Sequence, residues 1–86
     1  MFFVYILYSE KFDIYYVGHT DNVDKRIIRH NEGREEYTRK YRPWTLELTI
    51  EKDSRSEAVR FERKLKNLSG ERLVSFIKKY LSREPR

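Results

Sequence analysis

The stretch Phe2-Phe3-Val4-Tyr5-Ile6-Leu7-Tyr8 holds no charge, no glycine and no proline, in a chain where 38% of residues are charged. It is apolar and rich in β-branched and aromatic residues, so it reads as a strand covered on both faces. That is a severe demand on 86 residues. A chain this short buries only about 60–65% of the surface its unfolded form exposes, enough for one domain and one small core. Seven tyrosines, five phenylalanines and one tryptophan supply much of that core, since each large ring buries about 150–250 Å². There is no cysteine, which excludes disulfides and thiolate metal sites, and two histidines are too few for a closed zinc site. Stability must come from packing.

Ser9-Glu10-Lys11-Phe12-Asp13 is a polar connection to a second strand, Ile14 to Gly18, and so short a link predicts an antiparallel hairpin. Gly18 ends that strand, where a side chain is unwelcome. Thr20-Asp21-Asn22 offers N-caps for a helix over Val23–Glu32. Val23, Ile27 and His30 share its inward face, and Gly33 is a C′ stop. Residues 34–44 form a basic loop in which Pro43 pushes Arg42 towards extended geometry. Thr45 to Glu51 alternates, with Leu46, Leu48 and Ile50 on one face of a half-buried third strand. Ser54-Arg55-Ser56-Glu57 has capping-box spacing and opens a helix with Ala58, Phe61, Leu65 and Leu68 inward. Ser69-Gly70 interrupts it. A last helix turns Leu73, Phe76 or Ile77, and Tyr80 or Leu81 inward, and residues 82–86 read as a frayed tail. The order is β-β-α-β-α-α. The expected fold is a single α+β domain over residues 1–86, with a three-stranded, mainly antiparallel sheet flanked by helices.

The net charge is +5, and the positive charge sits outside the expected strands. A basic surface attracts phosphate and speeds encounter with nucleic acid, although a merely solvated surface has the same composition. The apolar N-terminus lacks a basic region before it and reaches Glu10-Lys11 too soon for a signal-peptide core. No run approaches the ~18–20 apolar residues of a membrane span. A cytoplasmic protein without membrane contact is expected.

Five residues stand out as chemically capable: Tyr5 and Tyr16 on the hairpin, Arg26 and His30 four apart on one helical face, and Glu62 in the later helix. Two phenols, a guanidinium, an imidazole and a carboxylate suffice to activate a water, hold a phosphate and bind a divalent metal. Tyr15 points opposite to Tyr16, so only one of the two shares a site with Tyr5. Each residue also has a plainer role: Tyr5 as a core ring, His30 as a satisfied core histidine, Glu62 as the ion-pair partner of Lys66, Arg55 or His30. Arg39, Lys40 and Arg42 interleave with Tyr37, Tyr41 and Trp44, a composition suited to a nucleic-acid backbone and exposed bases. Tyr37 and Trp44 equally serve to anchor that loop, the role we expect for Trp44. Lys66 is a further candidate for phosphate.

Val4-Tyr5-Ile6 and Tyr16-Val17-Gly18, followed by Arg26, His30 and Glu62 in the right order and element types, resemble the GIY-YIG endonuclease superfamily, most closely its small stand-alone members. The resemblance runs from Phe2 to about Tyr80. It departs in Val4 for glycine and Val17 for isoleucine, changes that leave the phenols. Larger catalytic members carry an asparagine about a dozen or more residues beyond the glutamate; Val74 stands twelve after Glu62, and Asn67 lies too close to match. The resemblance implies a DNA endonuclease using Mg²⁺ or Mn²⁺ in repair or recombination, with selectivity for DNA structure left open. In it Tyr5, helped by Tyr16 and His30, handles the water, Arg26 stabilises the phosphate and Glu62 holds the metal. DNA is the expected partner and RNA remains open; with no separate DNA-binding domain, a protein partner is a further source of specificity. The alternative is a non-catalytic nucleic-acid-binding module of the same fold, motivated by the absent asparagine and the basic loop. A third reading, a protein–protein adaptor, makes all the tyrosines core.

Overall fold

The computed structural model describes residues 1–83. β1 (Phe2–Ser9) and β2 (Ile14–Thr20) form the expected hairpin, and β3 (Thr45–Lys52) pairs antiparallel on the other side of β1. The sheet order is β2-β1-β3, which puts the most apolar strand in the middle. Val4, Tyr5, Ile6 and Leu7 are all buried, so β1 is covered on both faces as its composition requires.

Two cores result. Val4 and Ile6 meet Val17, Leu48 and Ile50 under the two C-terminal helices, α2 (Arg55–Lys66) and α3 (Gly70–Ser82), which contribute Ala58, Leu65, Leu73 and Ile77. Tyr5 and Leu7 face the other way and pack with Trp44, Tyr16 and Ile27. Ile27 belongs to α1 (Val23–Asn31), whose Asn22 cap accepts from the Lys25 N–H. The side chains of Ser54 and Ser69 cap α2 and α3 in the same way, satisfying N–H groups that would otherwise lack partners. Each full burial of a Val, Leu or Ile contributes about 1.5–3 kcal/mol.

Three expectations are corrected. β2 does not end at Gly18 but runs to Thr20, still paired with β1. A bulge between Ile6 and Leu7 shifts the β3 register, so Leu46 pairs with Leu7 and is 43% exposed, off the face of Leu48 and Ile50. The extra residue, Glu47, reverses the alternation the pattern implied. The helix α3 continues to Ser82 with Arg83 as its cap, which moves the expected start of the tail; residues 84–86 lie outside the described residues.

The basic loop is more ordered than its composition indicates. Residues Thr38–Tyr41 form a short 3₁₀ helix. Asn31 clamps the loop to α1, accepting from the Trp44 N–H and donating to the Trp44 carbonyl. The Trp44 indole donates to the Thr38 carbonyl at 2.9 Å, so Trp44 is the anchor expected of it. Gly33 ends α1 with a positive φ of 81° and the Arg42 guanidinium packed against its Cα, where a Cβ would come within 2.6 Å.

Candidate active site

Tyr5 lies in the centre of the sheet opposite Gly18, and its ring crosses over that glycine. A larger residue at 18 would displace the phenol. The Tyr5 hydroxyl meets His30 Nε2 at 2.9 Å, and His30 Nδ1 meets Thr38 Oγ1 at 2.7 Å. His30 and Thr38 are each 1% exposed. The three form a buried line from the sheet through α1 to the 3₁₀ helix. The Tyr16 ring stands edge-on to His30 at 5.1 Å and 6.3 Å from the Tyr5 ring, while Tyr15 turns to the opposite core.

Burial pushes the Tyr5 phenol well above its usual value, and the neighbouring Tyr16 adds to this; the charge and hydrogen bonding of Arg26 act in the other direction. Burial likewise holds the His30 imidazole below its ordinary 6.5, against a smaller opposing pull from Glu35. Both groups are therefore neutral near pH 7. In the tautomer that donates from Nδ1–H to Thr38, Nε2 is free to accept from the Tyr5 O–H.

Glu62 approaches from α2. Its Oε1 lies 2.5 Å from His19 Nδ1 and its Oε2 lies 2.6 Å from Lys66 Nζ. Burial acts to raise its pKa, but hydrogen bonds from Lys66 and His19 outweigh that and hold the carboxyl below the usual range. Lys66 also stands 5.9 Å from the centre of the Tyr16 ring. Burial raises the Tyr16 phenol, Lys66 lowers it and Glu62 raises it. Tyr5 feels Glu62 as well. Groups on three other elements, Tyr16 on β2, Arg26 on α1 and Glu62 on α2, thus act on the Tyr5 phenol.

The other candidates divide. Arg39 and Lys40 are exposed on the loop, whereas Arg42 Nε donates to the Arg39 carbonyl and its guanidinium covers Gly33. The plainer partner of Glu62, Lys66, is confirmed, while Arg55 instead stacks over Phe2 at 5.1 Å. Tyr37 is 57% exposed, and its ring is tilted against those of Tyr16 and Tyr41, at 6.2 and 5.4 Å. A groove of about 920 Å³ opens beside Tyr16, Tyr37 and Lys66 and continues to Leu68, Leu73 and Val74. Sequence reasoning missed His19 and Thr38. An end of β2 at Gly18 leaves His19 outside the strand, and nothing local marks a contact with a residue 43 positions away.

Among the described residues, no three His, Cys, Asp or Glu side chains gather where a metal ion could be held. Glu62 is the carboxylate that faces the phenols. Mg²⁺ is commonly bound by one or two carboxylates with waters and substrate phosphate completing the shell, so a donor set of this kind fits a divalent cation.

Residues 1–80 match the family model of the GIY-YIG catalytic domain. The chain belongs to the GIY-YIG family. Among curated relatives, a UPF0213 protein of Halobacterium salinarum is 46% identical over 56 residues, 64% of this chain and 73% of that one. A UPF0213 protein of Halalkalibacterium halodurans is 42% identical over 77 residues, 85% of this chain and 81% of the relative. The solution NMR structure of a UPF0213 protein from Bacillus halodurans is 40% identical and superposes with a TM-score of 0.54, covering 88% of this chain and 85% of that one. Among the described residues no helix is long and apolar enough to cross a membrane.

Proposed function

We propose that the protein is a divalent-metal-dependent endonuclease that hydrolyses DNA phosphodiester bonds. The observation that carries this reading is the buried Tyr5–His30 hydrogen bond, set over Gly18 and facing Arg26 and Glu62. A core tyrosine needs no histidine behind it, and no guanidinium and carboxylate beside it.

In this reading Tyr5 positions the attacking water and takes its proton. The phenol is a poor base while neutral, and His30 Nε2 is placed to receive the phenolic proton as the water gives up its own. Thr38 fixes the imidazole so that this nitrogen faces Tyr5. Tyr16, whose ring lies 6.3 Å from that of Tyr5, directs the phosphate. Arg26 opposes the negative charge that grows on the phosphate oxygens, a contribution typically worth about 10²–10³-fold in rate. Glu62 would hold the divalent cation, which supplies Lewis-acid activation of the phosphate. Lys66 then exchanges the carboxylate for a phosphate oxygen. Arg39 and Lys40 contact the backbone away from the reacting centre, and Arg42 joins them while bracing the loop. A role in repair or recombination, acting on branched or otherwise irregular DNA, rests on the family resemblance, and a protein partner would add specificity.

The binding-module alternative keeps one observation in its favour: twelve residues beyond Glu62 stands Val74, an apolar residue lining the groove, and the chain shows no match to the asparagine of larger family members. Labelled duplex, single-stranded, flap and four-way-junction DNAs, incubated with Mg²⁺ or Mn²⁺ beside Glu62→Ala, separate the two. Product that requires both metal and Glu62 supports the nuclease. Salt-sensitive binding without product, unchanged by EDTA or by Glu62→Ala, supports the binding module.

A further inference from the structure

The groove beside Tyr16 serves no step of the proposed hydrolysis. Its lining includes both Tyr15 and Tyr16, which point to opposite faces of the sheet, so it opens along the outer edge of β2. Leu65, Leu68 and Val74 line it from α2, α3 and the turn between them. At about 920 Å³ it falls within the ~300–1,000 Å³ of sites that bury a small organic ligand, a class of size that includes a nucleotide. Its charge is uneven. Lys66 supplies a cation 5.9 Å from the Tyr16 ring, next to the reacting centre. Asp13 and Glu71 also line the groove, and their carboxylates repel any phosphate that enters it. A ligand with one anionic group and a flat, neutral body matches this lining: the anion at Lys66, the body against the rings and aliphatic side chains.

We propose that the groove takes an unpaired nucleobase adjoining the phosphate at Lys66, so that the protein engages strands that are single-stranded or bulged beside the cleavage point; this rests on the reading of the neighbouring site as one for a nucleic-acid phosphate. A base inside a duplex is stacked on its neighbours and cannot enter a groove bounded by a strand edge and two helices. Taking a base out of the stack costs least when it is already unpaired, and this difference is the source of selectivity. Tyr37 supplies the stacking surface. It is 57% exposed, whereas Trp44, which anchors the same loop, is 3% exposed. A ring that only anchors has no reason to stand in solvent. From Tyr37 the rings continue through Tyr41 to Phe12, 45% exposed, so further unpaired bases have surfaces to stack on.

The test measures DNA binding by the full chain in EDTA, so that cleavage does not enter. Three probes are compared: a blunt duplex, the same duplex with one bulged nucleotide, and that duplex with an abasic bulge. The last keeps the backbone and removes only the base. The parent protein should bind the bulged base at least about fivefold more tightly than the abasic bulge, the low end of what one base–aromatic stack contributes. Tyr37→Ala should remove this difference and Tyr37→Phe should restore it. Val74→Phe fills the groove from α3 and should remove it too, with blunt-duplex affinity unchanged. Two-dimensional NMR spectra confirm the fold of each variant. In the parent protein, the Val74 methyl signals should shift with the bulged base and stay in place with the abasic one. Equal affinity of the parent for the two bulges would overturn the proposal, as would a preference that survives Val74→Phe. Groove signals that shift with protein concentration alone, and not with the bulged base, would overturn it and give the groove to a second copy of the chain. The nuclease reading fails differently, on the absence of product with Mg²⁺ or Mn²⁺, whatever the two bulges do.

Discussion

A Cβ on Gly18 would lie 2.5 Å from the Tyr5 hydroxyl oxygen and 2.7 Å from Cζ, so the cross-strand pair works only as tyrosine over glycine. The phenol cannot yield easily, because Tyr5 is 1% exposed and its hydroxyl is held by His30. Gly18→Ala is expected to destabilise the fold by about 1–3 kcal/mol, the range for overpacking a filled core. Urea unfolding measures this. Cleavage should fall further than stability alone accounts for, since the displaced phenol leaves His30.

Thr38→Val tests the support behind His30. The change keeps the shape and removes the hydroxyl that Nδ1 meets, leaving a buried imidazole nitrogen unsatisfied at a cost of about 1–3 kcal/mol. Thr38→Ser should retain most of the stability. Chemical denaturation of the two variants checks the prediction, and equal loss in both would contradict it.

Acid stability should carry the signature of His30. Its folded pKa lies below the ordinary 6.5, because burial penalises the imidazolium. The unfolded chain therefore binds the proton more readily, and stability is fully present above about pH 6.5 and lost as the pH falls towards the lower folded value. Glu62, also depressed, contributes a separate loss at lower pH, below its ordinary 4.5. Melting temperatures recorded from pH 7 to 5 should fall in the parent protein and fall less in His30→Gln.

Arg39, Lys40 and Arg42 should not behave alike. Arg39→Ala and Lys40→Ala are expected to leave the melting temperature unchanged and to lower the salt slope of DNA binding by about one each. Arg42→Ala should also lower stability, because its side chain braces the loop on Gly33 and on the Arg39 carbonyl. Thermal melts alongside salt-titrated binding distinguish the two behaviours.

Much of this was legible in the chain because it rests on local patterns. The uncharged Phe2–Tyr8 run marks a strand covered on both faces, Thr20-Asp21-Asn22 and Ser54 mark helix starts, and the two tyrosine tripeptides mark the hairpin. The parts that stayed hidden depend on contacts between distant residues. Leu46 leaves its expected face because of a bulge that no turn residue announces. Thr38 lies in a segment that looks like a solvated basic loop, and its burial follows from the Trp44 indole folding back onto its carbonyl. His19 becomes part of the site only because β2 continues two residues past Gly18 and α2 brings Glu62 against it.

The central claim is that the Tyr5 hydroxyl does chemistry as well as filling the core. Tyr5→Phe keeps the ring over Gly18 and removes only the oxygen that His30 holds. The deciding measurement is the single-turnover cleavage rate of Tyr5→Phe on the DNA that the parent cleaves, with excess enzyme and Mn²⁺, beside its DNA affinity. The account predicts affinity close to the parent's and a rate lower by about 10²–10⁴-fold, the contribution of a positioned acid–base group. A rate equal to the parent's would contradict it and return Tyr5 to the core.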